Sequence, residues 1–264
     1  MKALASLDVD GDRVRWRDCA PIALRPTGAR RVHLVQAAGG PVGGDDLALD
    51  VTVGAGSELA VCSAAATVAL PGPHAEAAHW TVRATVAGAL RWWPEPTVVC
   101  AGADYRARLS VDLTDGARLV LREQVVLGRA GEPGGRYRGR LTVRVAGVPL
   151  LDTETVLDGA DDALSGPTGS AGFRVFGSVL VAGPDLPKLD ETAHADADVR
   201  SAVLPLEGPG YLILALGRTA AVVDAALDQA SVARWRSELM RCSGPNGGNG
   251  MPRSRMYRGT PDQS

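Results

Sequence analysis

Apolar and polar positions alternate along the first two-thirds of the chain. Leu47, Leu49, Val51 and Val53 are separated by Ala48, Asp50 and Thr52. A period of two is what a strand with one buried face imposes. The same alternation runs through Trp80 to Val86, Tyr105 to Leu113, Arg118 to Val126, Arg138 to Val145 and Leu150 to Leu157. Thr, Val and Leu dominate these runs, and Gly or Asp punctuates them, as expected of strands and their turns. After Leu157 the texture changes. Asp158 to Gly172 is rich in Gly, Asp, Ser and Pro and reads as a long loop, and Phe173 to Val181 and Tyr211 to Leu216 predict further strands. Thr219 to Met240 is the best helix: Val222, Val223, Ala226, Leu227, Ala230 and Ala233 share one side at helical spacing, and Trp235 and Leu239 extend that face. From Ser243 to Ser264 the chain is Gly, Pro, Ser, Asn and Arg, which reads as a disordered tail behind one β-rich domain spanning residues 1–242.

A looser rhythm overlies the strands. Gly54, Gly88, Gly116 and Gly147 each sit in a turn that opens a strand, at steps of 34, 28 and 31 residues. Two or three strands per step fit either a solenoid-like pile of β layers or a β-sandwich. The unequal steps argue against a strict solenoid. The expected fold is therefore mainly β, a layered or solenoid-like stack of strands with a short C-terminal helical part.

Composition narrows the function classes. The chain has 264 residues, enough for a sizeable core, and a formal net charge of -2, so no overall field attracts nucleic acid or an acidic membrane. Aromatic residues make up only 4%, so the core must be built from Val, Leu and Ala. Lys2 and Lys188 are the only lysines among 28 basic residues; the arginine excess fits either a GC-rich coding bias or a surface suited to bidentate carboxylate pairing. Cys19, Cys62, Cys100 and Cys242 are far apart and make neither a disulfide framework nor a zinc ribbon. Asp8 and Asp10 arrive before any apolar run develops, so no secretory leader is expected, and no window is apolar enough to span a membrane. The expectation is a cytoplasmic protein with reduced cysteines.

Candidate chemistry is sparse. A P-loop needs a Gly-rich turn ending in Lys and Ser or Thr. Lys188 follows Pro187, which lacks an amide donor, and precedes Leu189, which cannot hold magnesium. The Gly39-Gly40-x-x-Gly43-Gly44-Asp45 run lacks the strand-to-helix context of a dinucleotide fingerprint and reads as a wide turn feeding the strand at Leu47. His74 and His79 flank Glu76 at a spacing that is no ligand pattern, and read as solvated loop histidines. Glu95, between Pro94 and Pro96, is either an acid with a raised pKa beside aromatic surface or a strand-end kink satisfying local amides and arginines. Glu123 lies inside a strand of Val and Leu, where a charge must face outward or be paired; Arg122 and Arg129 are the nearest candidates.

Five blocks, taken in order, resemble the urease accessory protein UreD (UreH) family. Gly39-Gly40-Pro41-Val42-Gly43-Gly44-Asp45-Asp46-Leu47 is similar to the family's "PGG-x-x-GGD-x-L". Ser63-Ala64-Ala65-Ala66-Thr67 is similar to "T-Q-A-A-T", with Ser-Ala in place of Thr-Gln. Trp93-Pro94-Glu95-Pro96-Thr97 looks like "W-L-P-E-P/E-T", and Ala101-Gly102-Ala103 follows where the family has "F-x-G-A". Glu123, Leu127-Gly128-Arg129, Glu132 and Gly139 fall in the order of its last block. Cys100 stands where the family often has Phe or Asp, and Arg241 to Ser264 lacks the family's "PRIW" close. The blocks run from Leu24 to about Phe176, more than half the chain.

This resemblance implies a β-rich layered protein with no catalysis of its own and no tightly bound cofactor. It implies a scaffold and metallochaperone for GTP-dependent nickel insertion, which binds a helical UreF-type protein, reaches a UreG-type GTPase through it, and docks on apo-urease. A transient nickel ion would cross by weak, exchangeable ligands, and a water-filled path through such proteins is one implied route. The block residues Gly39, Gly40, Gly43, Gly44, Asp45, Ala66, Thr67, Trp93, Pro94, Glu95, Thr97, Glu123, Gly128 and Arg129 would serve partner binding or structure, with no catalytic or metal residue assigned. Two rivals stand beside it: a carbohydrate-active β enzyme using Glu95 with Trp92 and Trp93 as a sugar platform and a second acid roughly 5–10 Å away, and a β interaction module unrelated to urease.

Overall fold

The computed structural model describes residues 1–184, 186–187 and 189–232. The chain opens with the hairpin β1 (Lys2–Asp10) and β2 (Arg13–Arg17), then makes a second hairpin, β3 (Ile22–Gly28) and β4 (Arg31–Gln36). It then coils. One rung is β5 (Asp46–Val53), β6 (Glu58–Ser63) and the short β7 (Thr67–Ala69); the next is β8 (Ala78–Val86), β9 (Ala89–Trp93) and the short β10 (Thr97–Val99); the next is β11 (Asp104–Leu113) and β12 (Arg118–Leu127). β13 (Arg136–Val145) begins a further rung, and β14 (Val148–Asp158) folds back on it. The remaining elements are α1 (Asp162–Ser165), β15 (Val175–Ala182), β16 (Thr192–Ala195), β17 (Val199–Pro205), β18 (Gly210–Gly217) and α2 (Ala220–Val232).

Stacked rungs pair in parallel. The first sheet has the order β14-β13-β11-β8-β5-β1-β2 and the second β16-β17-β18-β15-β12-β9-β6-β4-β3. This is a β-solenoid of about four turns with a short C-terminal helix, so the solenoid-like alternative holds over the sandwich. The turns at Gly54, Gly88 and Gly116 each carry the chain from the first sheet to the second. The turn at Gly147 does not: Ala146 (φ 48°) and Gly147 (φ 80°) form the tight turn of the antiparallel β13–β14 hairpin. The repeat read from the sequence therefore holds for its first three members and not for the fourth.

Alternation decides what each strand buries. In β11, Tyr105, Ala107, Leu109, Val111 and Leu113 point into the space between the sheets, and Arg106, Arg108, Ser110 and Asp112 face solvent. β1 does the same with Ala3, Ala5, Leu7 and Val9. The second sheet is covered on both faces where α2 crosses β15, β17 and β18, which gives β12 and β15 their nearly continuous buried runs. Val223 and Leu227 of α2 are fully buried there, and Gly177 of β15 leaves room for both, since a Cβ on it would sit 2.7 Å from Leu227 and 2.8 Å from Val223. The segment 158–172 contains the short α1 within the predicted loop. The predicted extension of the last helix to Met240, the tail from Ser243, and Lys188 lie outside the described residues. Among those described, no helix is long and apolar enough to cross a membrane.

Candidate functional site

A ladder interrupted by prolines opens the interior. β9 and β12 stay in register through Trp92 and Leu121, and β10 resumes at Thr97 opposite Val125. Between those pairs lie Trp93 to Pro96 on one side and Arg122 to Gln124 on the other, so the rung bulges by one residue. Pro94 and Pro96 supply no ladder donors, and the Glu95 N–H is held instead by the Ser63 hydroxyl at 2.8 Å. The rung before breaks at the same level, where Ala64 to Ala66 separate β6 from β7.

Behind these breaks lies a cavity of about 600 Å³. Its walls include Leu47, Trp80, Tyr105, Ala107 and Tyr137 from the first sheet, Leu34, Trp92 and Glu123 from the second, and the loops at Gly39–Pro41, Ser63–Thr67 and Pro94–Thr97. Glu123 sits in the unladdered stretch and turns its carboxylate inward. Among the described residues it has no hydrogen bond or ion pair, and burial pushes its pKa from 4.5 to about 7. The Tyr105 and Tyr137 rings stack beside it with centroids 6.1 Å apart. Burial first, and then the Glu123 charge, hold both hydroxyls protonated beyond the usual tyrosine range. Gly139 makes room for this pair: a Cβ there would lie 2.1 Å from the Tyr137 hydroxyl.

The expected arginine partners of Glu123 are absent, because neighbouring residues of a strand point to opposite faces. Arg122 points to the outer face, where it donates to the Gln124 side-chain oxygen and to Asp224 of α2, while the Gln124 amide Nε2 donates to the Ala220 carbonyl at 3.2 Å. Arg129 closes on Glu132 instead, through Nε at 3.0 Å and Nη2 at 2.9 Å. The same rule splits the tryptophan platform. Trp92 is 3% exposed in the interior, whereas Trp93 lies on the outer face with Arg91 and Arg122 stacked over it at 4.5 and 5.2 Å. A sugar platform of both rings does not form, although Glu95 and Glu123 line one cavity.

The other block residues have local causes. Gly43 crosses Gly72 so closely that a Cβ on Gly43 would meet the Gly72 nitrogen at 2.7 Å and the Glu76 carbonyl at 2.6 Å. Gly44 takes φ +89°. Asp45 accepts from the Val42 N–H at 2.9 Å and from the Met1 ammonium at 2.7 Å. Burial works against its charge, but those two donors outweigh it and hold the carboxyl below the usual range. Gly128 has φ +73°, and Arg174 ties that loop by donating to the Leu127, Arg129 and Glu132 carbonyls. Thus Gly39, Gly40, Ala66, Thr67, Pro94, Glu95, Thr97 and Glu123 meet at the cavity. Gly43, Gly44 and Asp45 shape the loop beside it, and Trp93, Gly128 and Arg129 lie elsewhere. His74, Glu76 and His79 are exposed, and no group of three or more potential metal-binding side chains occurs among the described residues.

Comparison with known proteins agrees with the blocks gathered here. A family model described as UreD urease accessory protein matches residues 19–246. The chain belongs to the UreD urease accessory protein family. A UreD of Parafrankia sp. (strain EAN1pec) is 41% identical over 260 residues, covering 86% of this chain and 87% of its own. One from Frankia alni is 45% identical over 211 residues, covering 72% and 70%, and one from Streptomyces coelicolor is 42% identical over 217 residues, covering 80% and 85%. Tyr105 and Tyr137 escape the motif reading, yet a signal for them exists in this UreD-family sequence. Tyr105-Arg-Ala-Arg-Leu109 recurs as Tyr137-Arg-Gly-Arg-Leu141, and the two copies lie side by side in register on β11 and β13.

Proposed function

We propose that this UreD-family chain is a cytoplasmic, non-enzymatic scaffold that supports GTP-dependent nickel insertion into apo-urease, together with a UreF-type helical protein and a UreG-type GTPase held through it. The family match over residues 19–246 carries the reading. The interior supports it: a cavity bounded by family-block residues, with the Glu123 carboxylate on its wall, suits transient passage of a divalent ion better than tight capture. The test is deletion of the gene in a urease-positive host grown in low-nickel medium. Urease protein should remain while its nickel content and activity fall, and Glu123→Ala should reproduce part of the loss. Full urease activity in the deletion strain would overturn the proposal.

One second reading has an observation behind it. Glu95 and Glu123 line the same cavity, so a carbohydrate-active enzyme remains the competing assignment. It requires the purified chain to hydrolyse an aryl glycoside and Glu95→Gln to abolish that turnover.

A further inference from the structure

The solvent face of the first sheet carries a charge pattern that the interior does not explain. Arg106 and Arg108 on β11 lie directly beside Arg138 and Arg140 on β13. With strands about 4.8 Å apart and alternate residues about 6.6 Å apart, the four form a two-by-two block. Like charges directly across a sheet repel. One diagonal of the block is neutralised from outside. Arg106 is held by Asp104 through Nε at 3.2 Å and Nη2 at 3.0 Å, and Arg140 by Asp152 at 2.9 and 2.7 Å. The other diagonal, Arg108 and Arg138, is exposed and has no ion pair or hydrogen bond among the described residues. In-register neighbours give them no relief, since Arg108 faces Thr81 on its other side and Arg138 faces the exposed Val156.

We propose that this block is a docking surface for an acidic protein face that presents two carboxylates about 8 Å apart, one to Arg108 and one to Arg138. Guanidinium groups match carboxylates bidentately, and seating them removes the repulsion across β11 and β13. A protein fits better than a nucleic acid. Two strands away on one side stand Asp46 and the Arg83-paired Asp50, and on the adjoining β14 stand Glu154 and the arginine-paired Asp152 and Asp158. The basic strip is thus only about 10–15 Å wide, and a phosphate backbone running across it would meet carboxylates on both sides. The proposal rests on the urease-maturation reading only for the choice of natural probe.

The experiment measures binding of the full chain to two probes, a fluorescent deca-glutamate peptide and purified apo-urease from the same genome. R108E/R138E is compared with R15E/R17E, which makes the same charge change on β2 at the far edge of the same sheet. Wild type should bind both probes, more weakly as salt rises from about 50 to about 300 mM. R108E/R138E should weaken both at least about tenfold, a loss of about 1.4 kcal/mol, while R15E/R17E stays within about twofold. Circular dichroism and melting should show both variants folded. Equal weakening by the two variants, or none by either, overturns the proposal. So does wild-type binding to an about 20-bp DNA duplex tighter than to either probe, or self-association in sedimentation that R108E/R138E alone abolishes. Peptide binding that is lost in R108E/R138E, with no wild-type binding to apo-urease, supports the surface and counts against the proposed function instead.

Discussion

Replacing Glu123 by glutamine should stabilise this protein, and only above a defined pH. The carboxyl titrates at 4.5 when solvated and at about 7 in the folded chain, because burial disfavours its charge. Between those values the folded state binds more protons than the unfolded one. Folding stability contributed by this group is therefore full below about 4.5 and is lost as pH rises through about 7. At about 1.4 kcal/mol per pH unit the loss amounts to about 3 kcal/mol at most, and water in the cavity reduces it. Glutamine keeps the shape and has no charge to bury. Thermal melting of wild type and Glu123→Gln from pH 4 to pH 8.5 should show midpoints that nearly coincide at about pH 4, separate progressively between about 4.5 and 7, and hold a constant gap above that. For a chain of this size the separation should reach roughly 5–10 °C. A gap that stays constant across pH, or a variant less stable at pH 8, would refute the account of Glu123 as an unpaired interior acid.

Other perturbations probe separate parts of the molecule. Gly43→Ala should cost about 1–3 kcal/mol in urea unfolding, because its methyl would meet Gly72 and Glu76 backbone atoms that cannot swing away. Gly177→Val should loosen α2, read as faster amide exchange in residues 220–232, since Val223 and Leu227 occupy the space a side chain would need. Asp224→Ala should lower stability by about 1–2 kcal/mol, because it leaves the buried Arg122 guanidinium without its carboxylate; the partial exposure of Asp224 limits the loss. Asp45→Asn should cost about 1–2 kcal/mol near neutral pH. Its folded carboxyl titrates below the unfolded value, so the gap to wild type should close in acid unfolding as pH falls below about 4.

Alternation makes most strands legible in the sequence, since Leu47 to Val53 and Tyr105 to Leu113 can bury only one face. β1 escaped because its inward residues begin with Ala3 and Ala5, whose small side chains give a weak signal. The choice between solenoid and sandwich was not readable, because parallel register is set by partners a whole rung away. Glu123 shows the limit most clearly. Its sequence neighbours Arg122 and Arg129 suggested pairing, but strand geometry turns Arg122 to the opposite face and a local loop captures Arg129 with Glu132. The splitting of Trp92 from Trp93 obeys the same period-two rule and could have been drawn from the sequence. The cavity could not, because it needs segments from Pro21 to Tyr137 brought together around two broken ladders.

A stack of parallel rungs is in principle open-ended, since its last strand offers the same unpaired backbone as the one before. Here the first sheet is finished at each end by a strand running the other way, β2 beyond β1 and β14 beyond β13. β14 adds a register shift at Val143/Arg144, Pro149, and a fringe of Asp152 and Glu154, all poor templates for a further chain. The two reversed strands act as chain terminators against fibre growth. An internal deletion that removes β14 should leave β13 as a long, flat, sticky border and turn a discrete molecule into one that polymerises.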